Sequence, residues 1–223
     1  MQQTDAMQQI QAQNGVLATH KVLRNTYALL AMTVLFSAVA AVAATAMRLP
    51  HPGLLLTLAG CFGLLFAVYR LRNSAWGLLA VFALTGFMGL TLGPLFSAYL
   101  ALPNGSQIIA MSLGGTGTLF LALSSYVLLT RRDFTFLGGF LLAGIIAGFI
   151  AALGAVFFDL PALSMTISAI FILLMAGLIL YETSNIIQGG ETNYIMATVT
   201  LYVALFNLLS SLMHLLGVFG SDE

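Results

Sequence analysis

Of the 223 residues, 60% are hydrophobic and only 6% are charged, and the mean hydropathy is +1.03. A soluble domain carries about 25% charged residues, so a water-solvated globule is excluded and a chain built to dissolve in lipid is indicated. Seven basic and seven acidic residues cancel, and no nucleic-acid partner is expected. The single cysteine, Cys61, excludes an intramolecular disulfide and Cys-cluster metal sites.

A helix crosses the hydrocarbon core of a bilayer with about 20 apolar residues, and the chain offers seven such runs. Residues 1–24 come first, a leader with six glutamines and no aromatic residue before Tyr27. It cannot bury enough apolar surface to fold alone. A disordered tail is therefore expected, either as a solvated leader or as a cytoplasmic handle for a partner. The first span is expected over residues 27–47, ending where Pro50 and Pro52 stop a helix. Ala41-Val42-Ala43 and Ala44-Thr45-Ala46 resemble signal-peptidase sites, but the apolar run exceeds the 7–15 residues of a signal, so the span is read as retained.

The second span covers residues 54–69. The third covers 76–100, with Trp76 and Tyr99 as interfacial anchors at its ends. Leu102-Pro103-Asn104-Gly105 is a turn signal. The fourth span covers 108–129 and the fifth 134–157. The sixth covers 162–188 and stops at Gly189-Gly190. The seventh covers 194–219 and leaves a short tail, 220–223. A β-barrel would need short alternating segments, whereas residues 141–158 are apolar on every face. The expected fold is an all-α membrane protein, a seven-transmembrane-helix bundle forming one domain over residues 25–219.

Basic residues mark the cytoplasmic loops. Lys21 and Arg24 precede the first span, Arg70 and Arg72 follow the second, and Arg131 and Arg132 follow the fourth; the opposite side has only Arg48. That asymmetry places the N-terminus inside and the C-terminus outside.

Lipid supplies no hydrophobic drive for helix association, so close packing through small residues replaces it. Gly89 with Gly93, and Gly144 with Gly148, form small-xxx-small pairs. Gly114-Gly115-Thr116-Gly117 lies in an apolar span with no following lysine. It is therefore read as packing surface rather than a phosphate loop.

Polar groups in the spans are costly and tend to face inward. Glu182 follows an apolar run and sits among Thr183, Ser184 and Asn185. It is either a buried, pH-sensing carboxyl that takes up a proton or cation, or an interfacial acid facing cytoplasmic water. In the seventh span Thr200, Asn207, Ser211 and His214 share one face, with Ala204 filling the gap in the stripe. Interhelical hydrogen bonding is the role expected of them, with a titrating His214, toward the outer membrane face, as the alternative.

Enzyme classes fail on their requirements. There is no Gly-x-Ser-x-Gly, and Ser210 and His214 lie on one helix. The aspartates Asp133 and Asp159 stand at helix boundaries, and the one lysine, Lys21, precedes the first span, where it cannot hold a retinal. The three histidines are far apart. No catalysis and no cofactor is expected.

Tyr181-Glu182-Thr183-Ser184-Asn185-Ile186-Ile187, followed by Leu201-Tyr202-Val203-Ala204-Leu205-Phe206-Asn207, resembles the Bax inhibitor (TMBIM) family. The likeness extends to Thr19-His20-Lys21-Val22-Leu23-Arg24-Asn25-Thr26-Tyr27 and to Phe136-Leu137-Gly138-Gly139, and covers nearly the whole chain. The resemblance implies a multi-pass protein of the bacterial cell inner membrane that associates with the membrane-bound AAA protease FtsH and its membrane complex, and restrains its action. The alternative it implies is a pH-sensitive calcium or cation leak. In distant members that leak is latched by an acid on the sixth helix paired with an aspartate on the seventh. Glu182 matches the first acid, but Ala204 stands where the aspartate would be. That departure favours the protease-partner reading.

Overall fold

A computed structural model describes residues 2–158 and 160–220, with side chains described from Thr19 onward, Asp159 excepted. The expected outer tail, apart from Gly220, lies outside the described residues, as does Asp159. The helices are α1 (Gln2–Ala46), α2 (Leu54–Leu71), α3 (Trp76–Leu100), α4 (Gly105–Thr130), α5 (Gly138–Phe157), α6 (Pro161–Ile187) and α7 (Tyr194–Phe219), with a 3-10 turn at Thr135–Leu137 before α5. Seven of these stretches are long and apolar enough to span a membrane. In hydrocarbon every backbone N–H and C=O must be paired within the segment, which a helix achieves by itself.

The helix ends follow local chemistry. Pro161 takes the first position of α6, where its missing N–H costs nothing. Gly189, at φ 77°, ends α6 in the left-handed region that glycine tolerates. The Asn193 carboxamide caps α7, accepting from the N–H groups of Ile195 at 3.0 Å and Met196 at 3.2 Å.

The helix that carries the first span, α1, reaches back to Gln2, where composition suggests an unstructured leader. The leader contains no proline and is rich in glutamine and alanine, which are good helix formers. A helix already nucleated in the span extends into it without paying for a new nucleus.

Helix α7 is the axis of the bundle, packing against α1, α2, α3, α4 and α6. Val81 and Leu84 of α3 and Ile179 of α6 join Leu201 and Leu208 of α7 in one fully buried core cluster. Helix α5 packs on α6 and turns Phe140, Leu142, Ile146 and Ile150 outward, the surface expected of a helix bathed in lipid.

The paired glycines act where two helices touch. A Cβ at Gly89 would strike the Ser37 carbonyl of α1, and one at Gly93 would strike the Ala44 Cβ. The α1–α3 seam is thus backbone-close. Gly144 and Gly148 take the side chains of Leu174 and Phe171 from α6 at 2.7 and 2.9 Å from the Cβ position. The run at 114–117 behaves otherwise. A Cβ at Gly115 would lie 3.5 Å from Leu212, but at Gly114 and Gly117 nothing lies within 4 Å. The run hollows the face of α4 instead of knitting it to a neighbour. Composition alone could not separate these outcomes, because both need only the absence of a side chain.

Candidate functional site

Six basic residues gather at one end of the bundle. The loops there are tied to helix ends through named hydrogen bonds. The Ser184 hydroxyl of α6 accepts from the Phe134 N–H at 2.9 Å and donates to the Arg132 carbonyl at 3.3 Å. The Asn193 amide donates to the Arg72 carbonyl at 3.1 Å and to the Asn73 side chain at 2.9 Å. These bonds fix the loops after α2 and α4 to the α6–α7 connection. The Arg72 guanidinium lies over the Tyr69 ring, 4.6 Å from its centroid. Lys21, Arg24, Arg70, Arg131 and Arg132 are exposed. Beside them, Asp133 accepts from the Thr135 N–H at 2.8 Å and its hydroxyl at 2.6 Å, and these two donors hold its carboxyl below the usual carboxylate range.

Glu182 lies just inside this end. The residues Ile179, Glu182, Thr183 and Ile186 are all buried; their spacing of three, one and three makes them the inward face of α6. Glu182 is 4% exposed and so is covered by protein. Its Oε1 has no hydrogen-bond partner among the described residues, and neither does the Oγ1 of buried Thr26 on α1. Around it Thr183 pairs with the Tyr27 hydroxyl at 3.3 Å. The Thr198 hydroxyl of α7 lies 2.7 Å from the Tyr194 carbonyl and 3.2 Å from that of Thr26. Polar side chains thus join α1 to α6 and to α7, while Oε1 of Glu182 on the inward face of α6 has no partner among the described residues. Ala204, where the resemblance would put a second acid, is fully buried.

The α7 stripe lies at the rim of the buried face, with Thr200, Asn207, Ser211 and His214 all half-buried. Asn207 donates to the Val203 carbonyl of its own helix at 2.8 Å. His214 reaches α6, with Nδ1 2.9 Å from the Ser168 hydroxyl. The bonds that tie α7 to its neighbours come largely from other residues. Ser37 on α1 pairs with the Tyr202 hydroxyl at 2.5 Å, and Tyr202 donates to the Thr85 carbonyl of α3 at 3.2 Å. Tyr202 has one hydroxyl proton, so Ser37 is the donor in the first bond. The relay leaves no mark in the sequence. A lone serine and tyrosine in apolar spans carry no spacing signal, and their 165-residue separation hides the pairing. Among the described residues, no three of His, Cys, Asp and Glu come together to hold a metal ion.

The family described as inhibitor of apoptosis-promoting Bax1 matches residues 19–221. The chain belongs to the Bax inhibitor family. Among its relatives, the Escherichia coli K12 protein named "Modulator of FtsH protease YccA" is 53% identical over 208 residues, covering 93% of this chain and 94% of the relative. An uncharacterised protein of Pseudomonas aeruginosa is 50% identical, covering 91% of each chain. An uncharacterised membrane protein of Vibrio cholerae is 42% identical, covering 93% of each. The Bax inhibitor match begins at Thr19. The glutamine-rich leader therefore lies outside the matched region.

Proposed function

We propose that this protein resides in the bacterial inner membrane and binds and modulates an FtsH-type membrane AAA protease, as a partner of that enzyme rather than as a catalyst. The observation that carries the reading is the 53% identity, spread over nearly the full length of both chains, with a relative named as a modulator of that protease. The basic end faces the cytoplasm in this reading, with the N-terminus inside and the C-terminus outside. A phosphatase reporter fused after Glu223, which works only outside the cytoplasm, should therefore be active; an inactive fusion alongside an active cytoplasmic-type reporter at the same point would reverse the orientation.

A cytoplasmic leader offers an ATP-driven unfoldase an end to grip, which a helix held in lipid does not. Deleting residues 2–15 should slow the protein's own turnover by the protease while the bundle still folds. Unchanged turnover would reduce the leader to a solvated extension. The leak reading rests on a different observation, the buried and incompletely bonded Glu182. Glu182→Gln keeps the shape and removes the ionisable group. Co-purification of the protease with Glu182→Gln should stay close to that of the natural chain. Calcium flux into vesicles holding the natural chain should be negligible, because Ala204 supplies no second carboxylate. Robust flux that Glu182→Gln abolishes would put the leak first.

A further inference from the structure

Helices α1 and α4 share no close backbone approach among the described residues. Between them runs an apolar groove of about 660 Å³, floored by α3 and α7 through Leu92, Tyr202 and Phe206. Its α1 wall is the stripe Tyr27, Ala31, Val34, Ala38 and Val42; its α4 wall includes Phe120, Gly117 and Leu113. The open space at Gly117 is part of this groove. At Tyr27 the groove meets a second hollow of about 590 Å³, lined by His20, Lys21, Arg24 and Leu128. His20 and Arg24 lie on the same face of α1 as Ala31 and Ala38, since intervals of four, seven and seven return a helix to nearly the same direction. Lys21 and Arg24 have no ion-pair partner among the described residues. One face of α1 is thus cationic over residues 20–24 and small and apolar from Ala31 to Val42.

Size decides what fits. From Tyr27 to Val42 the helix rises about 22 Å, more than the roughly 15 Å of one leaflet's share of the hydrocarbon core. A protein helix of that length, about 10–12 Å across, would need on the order of 1,800–2,500 Å³. The groove offers about 660 Å³, and at its end nearest the second hollow the Tyr27 and Phe120 rings touch, with centroids 5.9 Å apart, so an occupant lies over that pair rather than between the rings. A single acyl chain is thin enough to enter; a helix is not. Basic pockets between membrane helices on the cytoplasmic side suit anionic lipid head groups, and a guanidinium pairs with a phosphate through two parallel N–H donors.

We propose that the α1–α4 groove is a binding site for one anionic membrane phospholipid, its phosphate held by Lys21 and Arg24 with His20 beside them, and one acyl chain laid along α1 past Tyr27. The site is independent of the protease reading and of Glu182.

The test uses the full chain, purified in detergent and observed by native mass spectrometry against phosphatidylglycerol, phosphatidylcholine with the same acyl chains, and inorganic phosphate. Phosphatidylglycerol should bind as one molecule per chain, at least tenfold more tightly than phosphatidylcholine, and inorganic phosphate should form no lasting complex. Gly117→Leu projects a side chain into the groove, where nothing obstructs it, and should expel the lipid while the melting temperature of the lipid-free protein is kept. The exposed pair Lys21→Gln with Arg24→Gln should erase the preference for phosphatidylglycerol, and it decides the matter by itself if Gly117→Leu does not fold. Equal binding of the two phospholipids, a stable complex with phosphate alone, or retention of the lipid by a folded Gly117→Leu protein would each overturn the site.

Discussion

Leucine at position 89 should cost the folded bundle about 3 kcal/mol or more, at the upper end of what over-packing a well-filled interior costs. The reason is what the new side chain would meet. A Cβ at Gly89 falls on the Ser37 carbonyl oxygen and lies 2.8 Å from the Ser37 Oγ. A flexible side chain could swing aside, but a helix carbonyl is held by its own hydrogen bond. The only relief is to separate α1 from α3. That movement also lifts Ala44 from Gly93, one helical turn away, and releases the contacts that replace hydrophobic drive in lipid. Thermal unfolding in a fixed detergent, with monodispersity on a sizing column, reads the effect. Gly114→Leu is the control, because nothing lies within 4 Å of its Cβ position. A Gly89→Leu protein that melts with the natural chain would show that the seam is looser than the structure has it.

Removing the Tyr202 hydroxyl should have the next largest effect. Tyr202 is 3% exposed and Ser37 4%, so neither finds water when its partner is lost. Tyr202→Phe strands the Ser37 proton and takes a donor from the Thr85 carbonyl. A buried polar group left unpaired costs about 1–3 kcal/mol, and interhelical bonds in membrane bundles lie near the lower part of that range, about 0.6–2 kcal/mol. A loss of about 1–2 kcal/mol is expected. Ser37→Ala should cost less, because the tyrosine keeps its bond to Thr85. The double variant should lose less than the two single losses added together, since both remove the same bond. Unfolding in mixed micelles gives the four values of the cycle. Strict additivity would mean that Ser37 and Tyr202 do not interact in the membrane-embedded protein. Gly89 and Ser37 share this seam, so the two predictions probe one structural unit from opposite sides: the first pushes α1 away from α3, and the second unties α1 and α3 from α7.

Much of the architecture was legible in the residues. The third and seventh spans, 76–100 and 194–219, agree with the helix limits at both ends, because an apolar run bounded by proline, glycine or arginine has one solution in a bilayer. The helix of the first span continues N-terminally beyond its apolar run. His20, Lys21 and Arg24 interrupt the apolar run without interrupting the helix, since long basic side chains can reach out to the interface. The candidate site was legible in part. Glu182 stands out as the one acid within a span, but whether it faces lipid, water or protein is decided by the rotation of α6, which an almost wholly apolar helix barely encodes. The same ambiguity affects α7. The visible stripe of Thr200, Asn207, Ser211 and His214 falls at the rim of the buried face, while Thr198 and Tyr202, on the opposite side of the helix, carry its ties to α1 and α3.

What the sequence by itself determined was the number of spans, their approximate limits, the clustering of basic residues in alternate loops, and membership of the Bax inhibitor family. All of these follow from local composition or from residue-by-residue likeness, and neither requires knowledge of which helix lies beside which. Only the tertiary structure decided that Gly89 and Gly93 meet α1 whereas Gly114 and Gly117 meet open space. It alone joined Ser37, Tyr202 and Thr85 into one relay, and laid a cationic hollow end to end with an apolar groove. The physical reason is the solvent. In water an apolar stripe on a helix reports which face is buried, but in lipid both faces are apolar, and orientation is left to the shape of small residues and to a few hydrogen bonds whose partners lie a hundred or more residues away.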